Sequence, residues 1–251
     1  MLEWAEISPE KWYNIININD LTFLTFRAID IAPKGVLIMN YTETIRNYFA
    51  NHKGEIYDSA FERDKLFPMI ETNTYGRILL RLEKDNTITC VSKGVYYINN
   101  GNECTQEKLL KYYIGNYSGM YIGKSLFEKL GLIQKVDDTI TILSRKVKNN
   151  KNVGNIKIEK SDISIFMDYE INIISILEIF EHLRDDGSVD TNKLLEIAPM
   201  LIHSYREDSF TEIIKNRKYH HSTIMKYKNS LDSANIKNNV LNIFEECGKY
   251  E

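Results

Sequence analysis

Arg77 and Arg81 stand four residues apart in the run Thr74-Tyr75-Gly76-Arg77-Ile78-Leu79-Leu80-Arg81-Leu82-Glu83-Lys84. On a helix that spacing sets both guanidinium groups on one face, one turn apart, with Lys84 three residues further on. A guanidinium forks onto the edge of guanine or clamps a phosphate, so this row has the chemistry to read double-stranded DNA. Asn73 and Thr74 begin the same segment, at the end where a recognition helix meets base edges, and Gly76 lets the backbone come close to DNA. Lys93 stands in Ser92-Lys93-Gly94, between two β-branched and aromatic runs, where a hairpin tip would meet a phosphate. Two arginines on a helix equally suit the solvated face of an ordinary α+β domain, and spacing alone does not separate the two readings.

Other groups invite different chemistry. Arg145-Lys146-Val147-Lys148-Asn149-Asn150-Lys151 carries four positive charges and no acid, and Arg217 and Lys218 lie in a second basic stretch. Either is a secondary surface for phosphates or an acidic partner, or a solvated loop. Gly119-Met120-Tyr121-Ile122-Gly123-Lys124-Ser125 falls one residue short of a phosphate-binding loop, which needs four residues between its glycines. Gly187-Ser188 echoes nucleotidyltransferases without the paired aspartates that hold metal. His220-His221 has no acid beside it in sequence to complete a catalytic set. These fragments favour no catalytic site, no cofactor and no metal centre. A nucleotide-binding enzyme built around Lys124 is the weakest of the functional readings.

The elements that must position the arginines follow from periodicity. Thr42 is placed to cap a first helix with Ile45, Tyr48 and Phe49 on its inner face. Ser59-Ala60-Phe61-Glu62 reads as a capping box opening a second helix that stops near Phe67-Pro68. A third helix starts at Thr72 or Asn73, with Tyr75, Ile78, Leu79 and Leu82 apolar at i, i+3, i+4, i+7. Residues 87–91 and 95–98 then form a β-hairpin. Three helices followed by a hairpin is the order of a winged helix-turn-helix.

Beyond it, helices are expected over 106–113 and 125–130, strands over 139–144 and 155–159, and a third strand over 164–167. The tail reads as helices: one carrying Ile173, Ile174, Leu177, Phe180 and Leu183 and stopping at Asp185-Asp186-Gly187, then others near 191–205, 208–217, 222–231 and 236–247. The expected fold is α+β. It comprises an N-terminal extension (1–38), a winged helix-turn-helix (39–100), a small mixed α/β segment (101–168) and a helical C-terminal region (169–251). In the extension, Ser8-Pro9-Glu10 looks like a helix start and 21–31 is an apolar stretch.

The chain has 251 residues and a formal net charge of −3, so it is not coated in nucleic acid, although a local basic stripe suffices for DNA binding. Apolar residues are 43% and charged residues 27%, as in soluble globular proteins. No apolar run is long enough to span a membrane, the N-terminus lacks a basic leader, and the three cysteines are odd in number and far apart. A cytoplasmic protein with reduced thiols is expected.

Residues 77–97 also carry a resemblance. Arg77 to Lys84, Asp85 to Cys90 and Val91-Ser92-Lys93-Gly94-Val95-Tyr96-Tyr97 resemble the recognition helix and wing of abortive-infection E antitoxins. Asn116 to Leu132, a Tyr/Gly turn leading into a short helix ending in Leu-Gly-Leu, is similar to the segment that follows in that family. The similarity runs over roughly residues 41–245, with Asn86 where the family often has Gly and Cys90 near a usual Arg. It implies a bacterial antitoxin whose N-terminal domain binds operator DNA and represses its own operon. Residues 101–251 would then form one domain that neutralises a nucleotidyltransferase-like toxin. A plain winged-helix regulator without a toxin is the alternative.

Overall fold

The computed structural model describes residues 40–134, 138–182 and 189–247. The expected N-terminal extension, Leu183, the Asp185-Asp186-Gly187 stop and Ser188 lie outside the described residues. The chain divides into two units, 1–48 and 49–251. The described part of the first is Asn40 and most of helix α1 (Tyr41–Asn51). Asn40, not Thr42, caps this helix: the Glu43 amide donates to Asn40 Oδ1 at 3.2 Å. Asn is among the best N-caps because its short side chain reaches the third helical amide.

The second unit continues with β1 (Ile56–Asp58), α2 (Ser59–Leu66), α3 (Thr72–Lys84), β2 (Ile88–Ser92) and β3 (Val95–Ile98). The three strands form an antiparallel sheet in the order β1-β3-β2. β1 escaped the sequence reading because three residues are too few to show alternation. The capping box is also absent. Asp58 caps α2 by accepting from the Ala60 amide at 3.2 Å, Ser59 Oγ donates to Gly94 O, and Glu62 accepts from Tyr112 Oη at 2.8 Å. Both residues of the expected box thus make tertiary contacts instead.

Next come α4 (Gln106–Ile114), β4 (Gly119–Tyr121), α5 (Gly123–Lys129), β5 (Ile140–Ser144), β6 (Lys151–Val153) and β7 (Ile156–Lys160). The second sheet runs β4-β5-β7-β6, and only β5 and β7 are parallel. Gly119 lets β4 approach β5 closely, since a Cβ there would collide with the Leu143 carbonyl. The strand expected over 164–167 does not form. The Ser164 amide donates to Glu212 Oε1 at 2.6 Å and the Phe166 amide to Tyr117 O at 3.1 Å, so those donors are taken by a side chain and a turn. One apolar core joins Ile56, Val95 and Tyr97 of the first sheet to Leu109 and Tyr113 of α4 and to Ile142, Val153 and Ile158 of the second. It runs across the boundary drawn at residue 100.

The remaining elements are α6 (Asp168–His182), α7 (Thr191–His203), α8 (Glu207–Asn216), α9 (His221–Ser233) and α10 (Val240–Glu246). α6 is apolar nearly all round and packs against α5, α7, α8 and α9. The last helix begins later than expected: Asn238 Nδ2 donates back to Asp232 Oδ1 at 2.9 Å and the Asn239 amide to Tyr205 Oη at 3.3 Å, which holds the residues before Val240 out of the helix. No helix among the described residues is long and apolar enough to cross a membrane.

Candidate nucleic-acid interface

α3 is seated by its apolar face. Tyr75, Ile78, Leu79 and Leu82 are all buried, as their spacing requires. Tyr75 fixes the N-terminal half. Its hydroxyl bonds that of Tyr57 on β1, its ring lies 6.0 Å from Phe67, and the Arg63 guanidinium stands 5.9 Å from its centroid. Arg63 also donates to Ile70 O at 2.8 Å, which closes the turn between α2 and α3. At the other end Asn86 takes a φ of 58°, a left-handed conformation open to both Asn and Gly, and the Thr87 amide returns to Leu82 O at 2.9 Å.

This seating leaves Asn73, Arg77, Leu80, Arg81 and Lys84 exposed, with Thr74 half-buried among them. The side chains of Arg77, Arg81, Lys84 and, on the hairpin, exposed Lys93 make no hydrogen bond or ion pair with any described residue. Lys93 and Gly94 form the turn between β2 and β3, with Gly94 at a φ of +76° that favours glycine. The tip is held in place. Gly94 O accepts from the Ser59 amide and from Ser59 Oγ, both at 2.8 Å, and Ser92 Oγ donates to Asn152 O at 3.3 Å.

The secondary basic residues are placed differently. Arg145 donates to Ser164 O, Lys148 pairs with Asp64, and Lys151 pairs with Asp58. Lys146 stacks 4.6 Å over the Tyr112 ring, and burial pulls its ammonium below the usual lysine range. Arg217 Nη2 donates to the buried Glu178 Oε1 at 2.7 Å, while Lys218 is exposed. Arg145, Lys148, Lys151 and Arg217 therefore spend their charge or hydrogen bonds inside the molecule. The α3 row and Lys93 do not.

The near match to a phosphate loop has a carboxylate at its mouth: the Gly123 amide donates to Glu178 Oε2 at 3.3 Å. Ser125 Oγ accepts from the Thr141 amide at 2.9 Å, so that hydroxyl helps brace α5 on β5. His220, read as lacking an acid, has one: Glu181 accepts from its Nδ1 and from its amide. Thirty-nine residues separate that pair, so nothing in the local sequence pointed to it.

The molecule is thus a mixed α/β protein whose described part combines helices with two small sheets. No family model matches the chain, and no curated protein does. Among solved structures it is similar to the crystal structure of the RV2827C protein from Mycobacterium tuberculosis. The two share 11% identity with a TM-score of 0.37, over 83% of this chain and 82% of that one.

Proposed function

We propose that residues 39–100 act as a winged helix-turn-helix and that the chain is an antitoxin-like repressor of its own operon. Its DNA reader is the outer face of α3, with Arg77 and Arg81 at the centre, Asn73 and Thr74 at the leading end, and Lys84 and Lys93 as flanking phosphate contacts. The observation that carries this reading is the pair Arg77 and Arg81: exposed, one turn apart, unpaired, and backed by a buried apolar face. The helix–strand–helix–helix–strand–strand order with a β1-β3-β2 sheet supports it. The antitoxin half rests on the sequence resemblance, which implies a nucleotidyltransferase-like toxin as the protein partner.

A gel shift with the chain's own promoter tests the first half. Binding is expected to fall steeply as salt rises, because each neutralised phosphate releases counterions. Binding that ignores salt, or is untouched by loss of both arginines, sinks it. Co-expression with the adjacent gene tests the second half. Rescue of growth from a nucleotidyltransferase-like neighbour supports the antitoxin; no rescue leaves a plain winged-helix regulator.

A further inference from the structure

Leu80 breaks the polarity of the proposed DNA face. Its side chain is 57% exposed, and its exposed neighbours on the helix are Arg77, Arg81 and Lys84. Gly76 lies one turn before it on the same face. A Cβ built on Gly76 meets nothing within 4 Å, so no packing inside the chain calls for glycine there. Glycine in a helix interior is nonetheless disfavoured relative to alanine. Long side chains on a helix lean towards its N-terminus, which carries Leu80 over the turn that holds Gly76. The result is a shallow apolar notch, floored by bare backbone, with the unpaired cations along one flank and half-buried Glu83 along the other.

That combination suits one ligand chemistry. The unpaired cations along one flank favour a polyanion, and the apolar group exposed in the DNA major groove is the C5-methyl of thymine. We propose that the Gly76–Leu80 notch takes a thymine methyl group, so that Leu80 is a specificity-determining residue and the operator carries a thymine beside the bases met by Arg77. This rests on the DNA-binding reading of α3. It adds to that reading a base identity that the arginines alone do not supply.

The experiment first selects bound sequences from a random duplex pool with the full chain, then replaces each selected thymine in turn by deoxyuridine, which removes only the methyl. One position is expected to lose about fourfold in affinity, the value of burying one methyl group. Leu80→Ala is expected to bind the thymine and uracil duplexes equally. Gly76→Ala is expected to raise the thermal midpoint, yet weaken binding to the thymine duplex. If wild type selects a salt-sensitive site but no thymine-to-uracil change matters, or Leu80→Ala keeps the discrimination, the notch is overturned and the DNA reading stands. Gly76→Ala binding as well as wild type also overturns it. If the chain binds no duplex, both fall together.

Discussion

Lys151 on β6 forms an ion pair with Asp58, whose side chain is 1% exposed and which caps α2. The same carboxylate accepts from Tyr113 Oη at 3.0 Å. Burial, reinforced by the Asp58 charge, pushes the Tyr113 hydroxyl far above the usual tyrosine range, so it stays protonated and donates. The helix that precedes α3 is therefore tied to a strand 93 residues away in sequence.

Loss of Lys151 leaves that carboxylate buried and short of its counter-charge. Lys151→Met is expected to lower the unfolding free energy by about 3 kcal/mol, the scale for breaking one side of a buried pair. Adding Asp58→Asn is expected to restore part of it, because the stranded charge goes too. Urea midpoints for the two variants settle the matter. A Lys151→Met loss of under about 1 kcal/mol would class the contact with ordinary surface pairs.

Arg77→Ala with Arg81→Ala is expected to leave the urea midpoint nearly unchanged, since both side chains are exposed and unpaired. DNA affinity should fall instead. Where both arginines meet phosphates, the slope of log affinity against log salt drops by about two units. Lys148→Ala, which removes a cation already paired with Asp64, should leave that slope almost as it was. Equal effects from the two variants would mean that the footprint extends well beyond α3.

Arg217 and Glu178 provide an internal contrast. The Glu178 side chain is 4% exposed and that of Arg217 18%, so Arg217→Met is expected to cost about 3 kcal/mol. Lys228 and Asp232 form an i,i+4 pair at the surface of α9, and Lys228→Met should cost far less. Thermal melts of the two variants compare them directly, and similar losses would contradict the assigned roles.

Glu181 supplies a pH signature. Burial works to raise its carboxyl, but hydrogen bonds from Thr223 and His220 outweigh this and hold it below the ordinary glutamate range. A depressed carboxylate stabilises the fold above its unfolded value, and that stabilisation is lost as pH falls through the folded one. Thr223→Val is therefore expected to be less stable than wild type at neutral pH. The gap should narrow below pH of about 4, the ordinary glutamate range. A gap that stays constant down to pH of about 2 would remove Glu181 from the account.

The local alphabet of this protein was legible because it is periodic. The α3 pattern, the β2–β3 hairpin and most of the helical tail follow from spacing over four or more residues. What stayed hidden was short or long-range. β1, β4 and β6 have three residues each and borrow their partners from elsewhere in the chain. Residues 164–167 have strand-like composition, yet a carboxylate from α8 takes the Ser164 amide.

The candidate site divides along the same line. Sequence alone determined that Arg77, Arg81 and Lys84 share a face opposite an apolar one, because helical pitch is a local property. Only the tertiary structure decided which cations have charge to spare. Lys148, Lys151 and Arg217 read like the α3 row in sequence, but each meets a carboxylate at least 39 residues away. Pairing of charges depends on distance in space, to which spacing along the chain is blind once a loop intervenes. The same holds for Leu80, an unremarkable leucine in an apolar run until packing leaves it facing outward beside Gly76.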